Sequence, residues 1–220
     1  MQYTKKDAVR IVVNCAELYR DELNNRNLLF VCLDKHKRIS YIEVSFHDYS
    51  YMHLTGLRPV KKQSGEDLND MEQLTADMFY DLCLNHKLSP DDFEFSDKGT
   101  TPLKLEVLPM IMNKNLAANM VGDFNSLRPK LYTEKLAGGT KACVGFVKDK
   151  KNGEYIPNTV LKEDLRSNVS DYVRVIATYR KNINDRNYSE IVYAAKKVDW
   201  TKIRFSEEYS YLPMPITVSG

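Results

Sequence analysis

Ala142–Leu161 reads ACVGFVKDKKNGEYIPNTVL, and the class of fold hangs on this segment. Two β-capable runs flank a polar connection carrying Asn152-Gly153. Glycine takes the positive φ of a tight reversal without steric cost, so the segment predicts a β-hairpin. Similar runs lie on both sides: MVGDF (120–124) and KLYTEKLA (130–137) before it, YVRVIATYR (172–180) and YSEIVYAAK (188–196) after it. Gly138-Gly139 supplies another break between strands.

The N-terminal half reads differently. Over residues 5–24, Ala8, Val12, Cys15 or Ala16, Tyr19 and Leu23 recur at helical spacing, which predicts an amphipathic helix. NLLFVCL (27–33) and ISYIEVSF (39–46) follow as a second hairpin across DKHKR. A Ser64-x-x-Asp67 capping signature predicts a helix through about His86, with Met71, Leu74, Met78, Leu82 and Cys83 as its buried stripe. Pro102 fits the first turn of a third helix ending near Asn113. Helices early and strands late predict an α+β fold in which N-terminal helices and a β-hairpin pack on an antiparallel sheet. With no repeat or Pro/Gly linker, the 220 residues read as a single domain, core about 5–197, with a C-terminal tail over 200–220 that is either a docking segment or disordered.

Thirty-two Lys+Arg against 30 Asp+Glu give a net charge of +2, which excludes a simple polycation and an acidic tail protein. The charges are segregated: Lys61–Asp97 holds 3 basic against 10 acidic residues, Arg128–Arg204 holds 17 against 9. Attraction between layers explains this as well as a basic sheet face for a phosphate backbone does. Cys15, Cys32, Cys83 and Cys143 are scattered with no C-x-x-C, which predicts reduced core cysteines, no metal site and a cytoplasmic protein. No apolar run is long enough for a membrane span, and no signal core follows MQYTKK.

Of four histidines, His36, His47 and His86 read as surface or strand-end residues. His53 stands out in YMHLTG (51–56), read as a short strand ending at glycine, where alternation puts His53 and Thr55 on one face. A neutral imidazole can act as general acid or base in phosphoryl chemistry, and a hydroxyl beside it can bind phosphate oxygen. A histidine satisfied inside a strand-end network is the plainer account. Lys104, Lys135, Lys162 and Arg180 are candidate clamps for a developing phosphorane charge, and solvated strand cations are their plainer account. Tyr132, Thr133, Tyr179 and Tyr193 are candidates for base stacking or phosphate contact. P-loop, dinucleotide, zinc-protease and nucleophile-elbow motifs are absent, so no cofactor is expected.

FVCLDKHKRISYIEVSF, MHLTG, LSPDDFEFSDKGTTPLKLEVL, ANMVGDFN, RPKLYTEKLAGG, KACVGFV, YIPNTVLKEDLR and VRVIATYRK follow one another in an order that resembles the fourth family of phage-type Barnase–EndoU–Colicin–RelE-like nucleases, over roughly residues 25–197. The resemblance implies a compact α+β fold, metal-independent endoribonuclease activity and a home in phages, plasmids or other mobile elements, where such a protein serves as a toxin. It carries over His53, Thr55, Lys104, Thr133, Glu134, Lys135, Lys162, Asp164 and Arg180 as matching positions, with Glu134 as the one nearby carboxylate fit to be a base. Glu134 and Lys135 would alternate to opposite faces. The expected reaction is 2′-hydroxyl attack on RNA, tRNA included, leaving a 2′,3′-cyclic phosphate. The rival reading is an inactive binding module of the same fold that acts on a host protein or RNA, and nucleotide or ADP-ribose transfer is a weaker third.

Overall fold

The computed structural model describes residues 3–63, 71–125, 132–150 and 152–215. Helix α1 (Lys5–Glu22) begins on a capping box in which the Thr4 hydroxyl and the Asp7 carboxylate satisfy each other's backbone amides. It leads into β1 (Arg26–Leu33) and β2 (Ile39–Phe46), then α2 (Tyr51–Thr55), β3 (Leu57–Pro59), β4 (Lys61–Gln63), β5 (Met71–Gln73) and α3 (Ala76–Leu84). Next come β6 (Phe93–Phe95), α4 (Thr101–Ile111), β7 (Met120–Phe124), β8 (Lys135–Gly138), β9 (Cys143–Lys148), β10 (Tyr155–Leu161), β11 (Val169–Asn182) and β12 (Glu190–Ala194).

The α+β class holds, but the sheet is a closed barrel. Its strands run β1-β2-β10-β9-β8-β7-β11, and β11 returns to β1, with β12 attached outside. Closure rests on β11. Its fourteen residues pair with β7 through Val169–Arg174 and with β1 through Arg174–Asn182. The N-terminal hairpin therefore completes the barrel instead of packing on a sheet. Nor is the pairing wholly antiparallel, because β2 and β10 meet in a parallel bridge between Val44 and Tyr155. The Asn-Gly hairpin forms as predicted, with Gly153 at φ 76° and its amide donating to Asp149 at 2.8 Å.

Alternate residues of the strands, among them Phe30, Val44, Phe146 and Val175, point into one core that continues into α1–α4. The helices therefore cover one end of the barrel. The four cysteines are all buried and free, and burial pushes each thiol up to about 12.

Three local expectations need correction. The second helix starts at the Thr75 cap, not Ser64, which lies outside the described residues; Phe79, Tyr80 and Cys83 form its buried face while Met78 is exposed. The YMHLTG segment is helical, because Gly56 at φ 73° ends a turn of helix, not a strand. The C-terminal segment packs: through Ile203 and Leu212 it covers Leu29, Val31, Ala177 and Tyr179 on the outer face of β1 and β11. The Tyr179 hydroxyl donates to the Pro213 carbonyl at 2.8 Å, and Tyr209 stacks on Tyr41 at 4.2 Å.

Candidate active site

At two-residue spacing in a helix His53 and Thr55 face different ways. Thr55 is buried, and its hydroxyl is spent on the turn, donating to the Met52 carbonyl at 2.8 Å and accepting from Leu57 N–H at 3.1 Å. It closes the helix, with its hydroxyl engaged inside the turn. His53 stays exposed.

Lys104 meets it from α4. Thr101, in the first turn of that helix, donates its hydroxyl to the Gly56 carbonyl at 2.6 Å and accepts from Ser96 N–H at 2.9 Å, which ties α4 to the end of α2. One turn on, Lys104 runs over Gly56, where a Cβ would lie 2.7 Å from its Cδ. Its Nζ then donates to the His53 carbonyl at 3.1 Å. No carboxylate among the described residues pairs with it, and burial lowers its pKa to about 8. The surrounding protein strips hydration from the His53 ring, and the Lys104 charge adds repulsion, so His53 titrates below its ordinary value. Lys104 thus reaches the backbone of α2 at His53, close enough for its charge to act on the imidazole, and the two groups favour a neutral base and a readily deprotonated ammonium, complementary states for proton transfer.

The other sequence candidates do not converge here. Lys162, just past β10, is paired with Glu106 of α4 at the same helix-covered end. Arg180 is clamped by Glu190 at 2.7 Å and Glu22 at 2.9 Å, tying β11 to β12 and α1. Lys135 lies at the opposite, open end of the barrel, paired with Asp123. Beside it, Thr133 donates to the Phe146 carbonyl at 3.1 Å, and Glu134 accepts from Lys148 N–H at 3.2 Å. Glu134 is thus bound to the strand next to it, beside Lys135. Asp164 caps a 3-10 turn and pairs with Arg166 at 2.6 Å. One concave face bearing all the candidates does not exist.

The open end holds a crevice of about 800 Å³. Lys135 and Lys148 each stand 5.4 Å from the centre of the Tyr155 ring within it. Glu43, Asp123, Glu154 and Asp171 also line it, so carboxylates outnumber lysines. Among the described residues no group of three or more His, Cys, Asp or Glu is placed to hold a metal ion, and no helix is long and apolar enough to cross a membrane.

Residues 11–197 match the profile of the family described as phage-Barnase-EndoU-ColicinE5/D-RelE like nuclease4. With most of its length in the match, the chain belongs to this nuclease-like family, whose substrate class is nucleic acid. No curated protein and no solved structure matches the chain.

Proposed function

We propose that the protein is an endoribonuclease that cuts RNA without a metal ion, with His53 as general base and Lys104 as general acid and electrostatic stabiliser. One observation carries the reading: Lys104, unpaired by any carboxylate among the described residues, lies against α2 at His53, and both have lowered pKa values. In the reaction His53 takes the proton of the 2′-hydroxyl as the 2′-oxygen attacks phosphorus. Lys104 faces the charge developing on the phosphorane and gives a proton to the departing 5′-oxygen. The products are a 2′,3′-cyclic phosphate and a 5′-hydroxyl end. A protein of this kind belongs to the cytoplasm of a host cell and to a phage or mobile element.

The test is incubation of the purified protein with total RNA in EDTA, with end-group analysis of the fragments. Fragments ending in 2′,3′-cyclic phosphate are expected, reduced on the order of 10²-fold or more in His53→Ala, the usual scale for loss of a general base. Equal cutting by wild type and His53→Ala, or none by either, sinks the assignment. The second reading, a binding module of the same fold acting on a host protein or RNA, draws on the neutralisation of Lys135, Lys162 and Arg180 by the chain's own carboxylates. An intact protein that binds RNA but never cuts it is the outcome that favours it.

A further inference from the structure

A second cleft, of about 660 Å³, opens between the β1–β2 hairpin, β11 and the C-terminal segment. Its charge is opposite to that of the barrel mouth. Lys37, Arg174, Lys197, Lys202 and Arg204 line it, against Asp199 as its one carboxylate. Lys202 is taken by Asp199 at 2.9 Å, and Arg204 donates to the carbonyls of Thr201 and Ile203. Lys37, Arg174 and Lys197 are exposed and make no ion pair with any described residue. Three segments far apart in the chain thus each bring to one cleft a cation that makes no ion pair with a described residue, and cations outnumber carboxylates in its lining.

The hairpin tip is also held firmly. The Asp34 carboxylate accepts from the amides of His36 and Arg38, both at 2.8 Å, and from the Arg38 guanidinium at 2.7 Å. Lys37 is kept at φ 63°, a conformation in which glycine or asparagine is easier to accommodate. The turn thus fixes the backbone that carries Lys37 into the lining of the cleft.

We propose that this cleft docks the phosphate backbone of RNA at a site separate from His53 and Lys104. The proposal rests on the nuclease reading only for the identity of the polyanion. Cations without carboxylate partners suit phosphates contacted independently of sequence. The barrel mouth, where carboxylates outnumber lysines, does not suit them. Position adds a length requirement. Lys37 precedes the first residue of β2, whereas α2 follows the last, and this eight-residue strand spans about 26 Å. Only an RNA longer than this reaches both cleft and His53, so folded or extended RNAs gain over short oligonucleotides.

The test uses a fluorescent 20-nucleotide 2′-O-methyl RNA, which lacks the attacking hydroxyl, so that binding is read without cleavage. For the Lys37→Ala/Arg174→Ala/Lys197→Ala variant, affinity at low salt is expected to fall on the order of tenfold or more. The slope of log affinity against log salt is expected to shrink by about 2, from roughly 0.7 per phosphate contact on a single strand. Lys135→Ala/Lys148→Ala, in the barrel mouth, is expected to keep the wild-type slope. A triple variant that melts like wild type and binds with the wild-type slope overturns the proposal, as does wild type that fails to bind. Displacement of the RNA by poly-glutamate of matched length as effectively as by RNA overturns the assignment to a phosphate backbone. A wild type that binds with the expected salt dependence yet cuts nothing sinks the catalytic reading and leaves the cleft standing.

Discussion

Lys104 owes its pKa of about 8 to burial alone, and this makes pH a direct probe of the site. The proposed cleavage needs His53 neutral and Lys104 protonated. Because the His53 pKa lies below 6.5, its base form persists through neutral pH and is lost only on acidification. The ammonium of Lys104 is lost as pH rises through about 8. The expected profile of kcat/KM is therefore a bell, with its acid limb below 6.5 and its alkaline limb near 8. Lys104→Arg, which stays charged, is expected to push the alkaline limb above the measurable range; an unchanged limb excludes Lys104 as its origin. Gly56 is the second lever. Alanine there meets both a φ of 73° and the Lys104 Cδ at 2.7 Å. Gly56→Ala is expected to cost about 1–2 kcal/mol of stability and to lift Lys104 out of its buried path, moving the alkaline limb upward, as melting and the pH profile will read. His53 and Lys104 both stand out in the sequence as candidates, whereas the helix that turns His53 and Thr55 to different faces does not. A five-residue helix is too short to show a period, and the informative sign was Gly56 as a left-handed helix stop.

Among the elements, β11 carries the greatest constraint, since it serves β7 along its first half and β1 and β12 along its second. Arg180 pins this junction through Glu22 and Glu190. Its side chain is only 15% exposed, so removing it leaves two carboxylates facing a partly buried gap. Arg180→Ala is expected to lower the melting temperature while folded protein cuts RNA at the wild-type rate; a wild-type melt with lost cleavage would restore Arg180 as a phosphate clamp. The C-terminal segment belongs to the same scale. Trp200, Ile203 and Leu212 complete the outer layer over β1 and β11, which is why residues without a family motif are nonetheless ordered against the barrel. Their role was not evident from sequence, because isolated apolar residues among charges show no periodicity until the surface they cover is known.

For the whole molecule, closure distributes stability unevenly. β1 is paired along its full length with both β2 and β11, whereas among the described residues β2 and β10 share only the Val44–Tyr155 bridge. Hydrogen exchange is expected to be slowest in β1 and the second half of β11 and fastest along the barrel strands at the β2–β10 seam. Uniform protection around the ring would contradict this view of the barrel. The charge asymmetry also acquires a location here: the basic excess of Arg128–Arg204 is partly neutralised at Lys135, Lys162 and Arg180, while Arg174 and Lys197 join Lys37 at the hairpin cleft without ion pairs.

The sequence by itself determined the α+β class, α1, the Pro102 start of α4, the Asn-Gly hairpin, the buried thiols and the family, because these depend on local periodicity, turn chemistry and short collinear motifs. Tertiary structure alone decided the closure of the barrel, the meeting of Lys104 with His53, and which cations are spent on carboxylates and which are free. Each of these is a contact between residues distant in the chain, set by strand register and helix docking. A one-residue change in register would reverse the faces of a strand while leaving the sequence pattern just as persuasive.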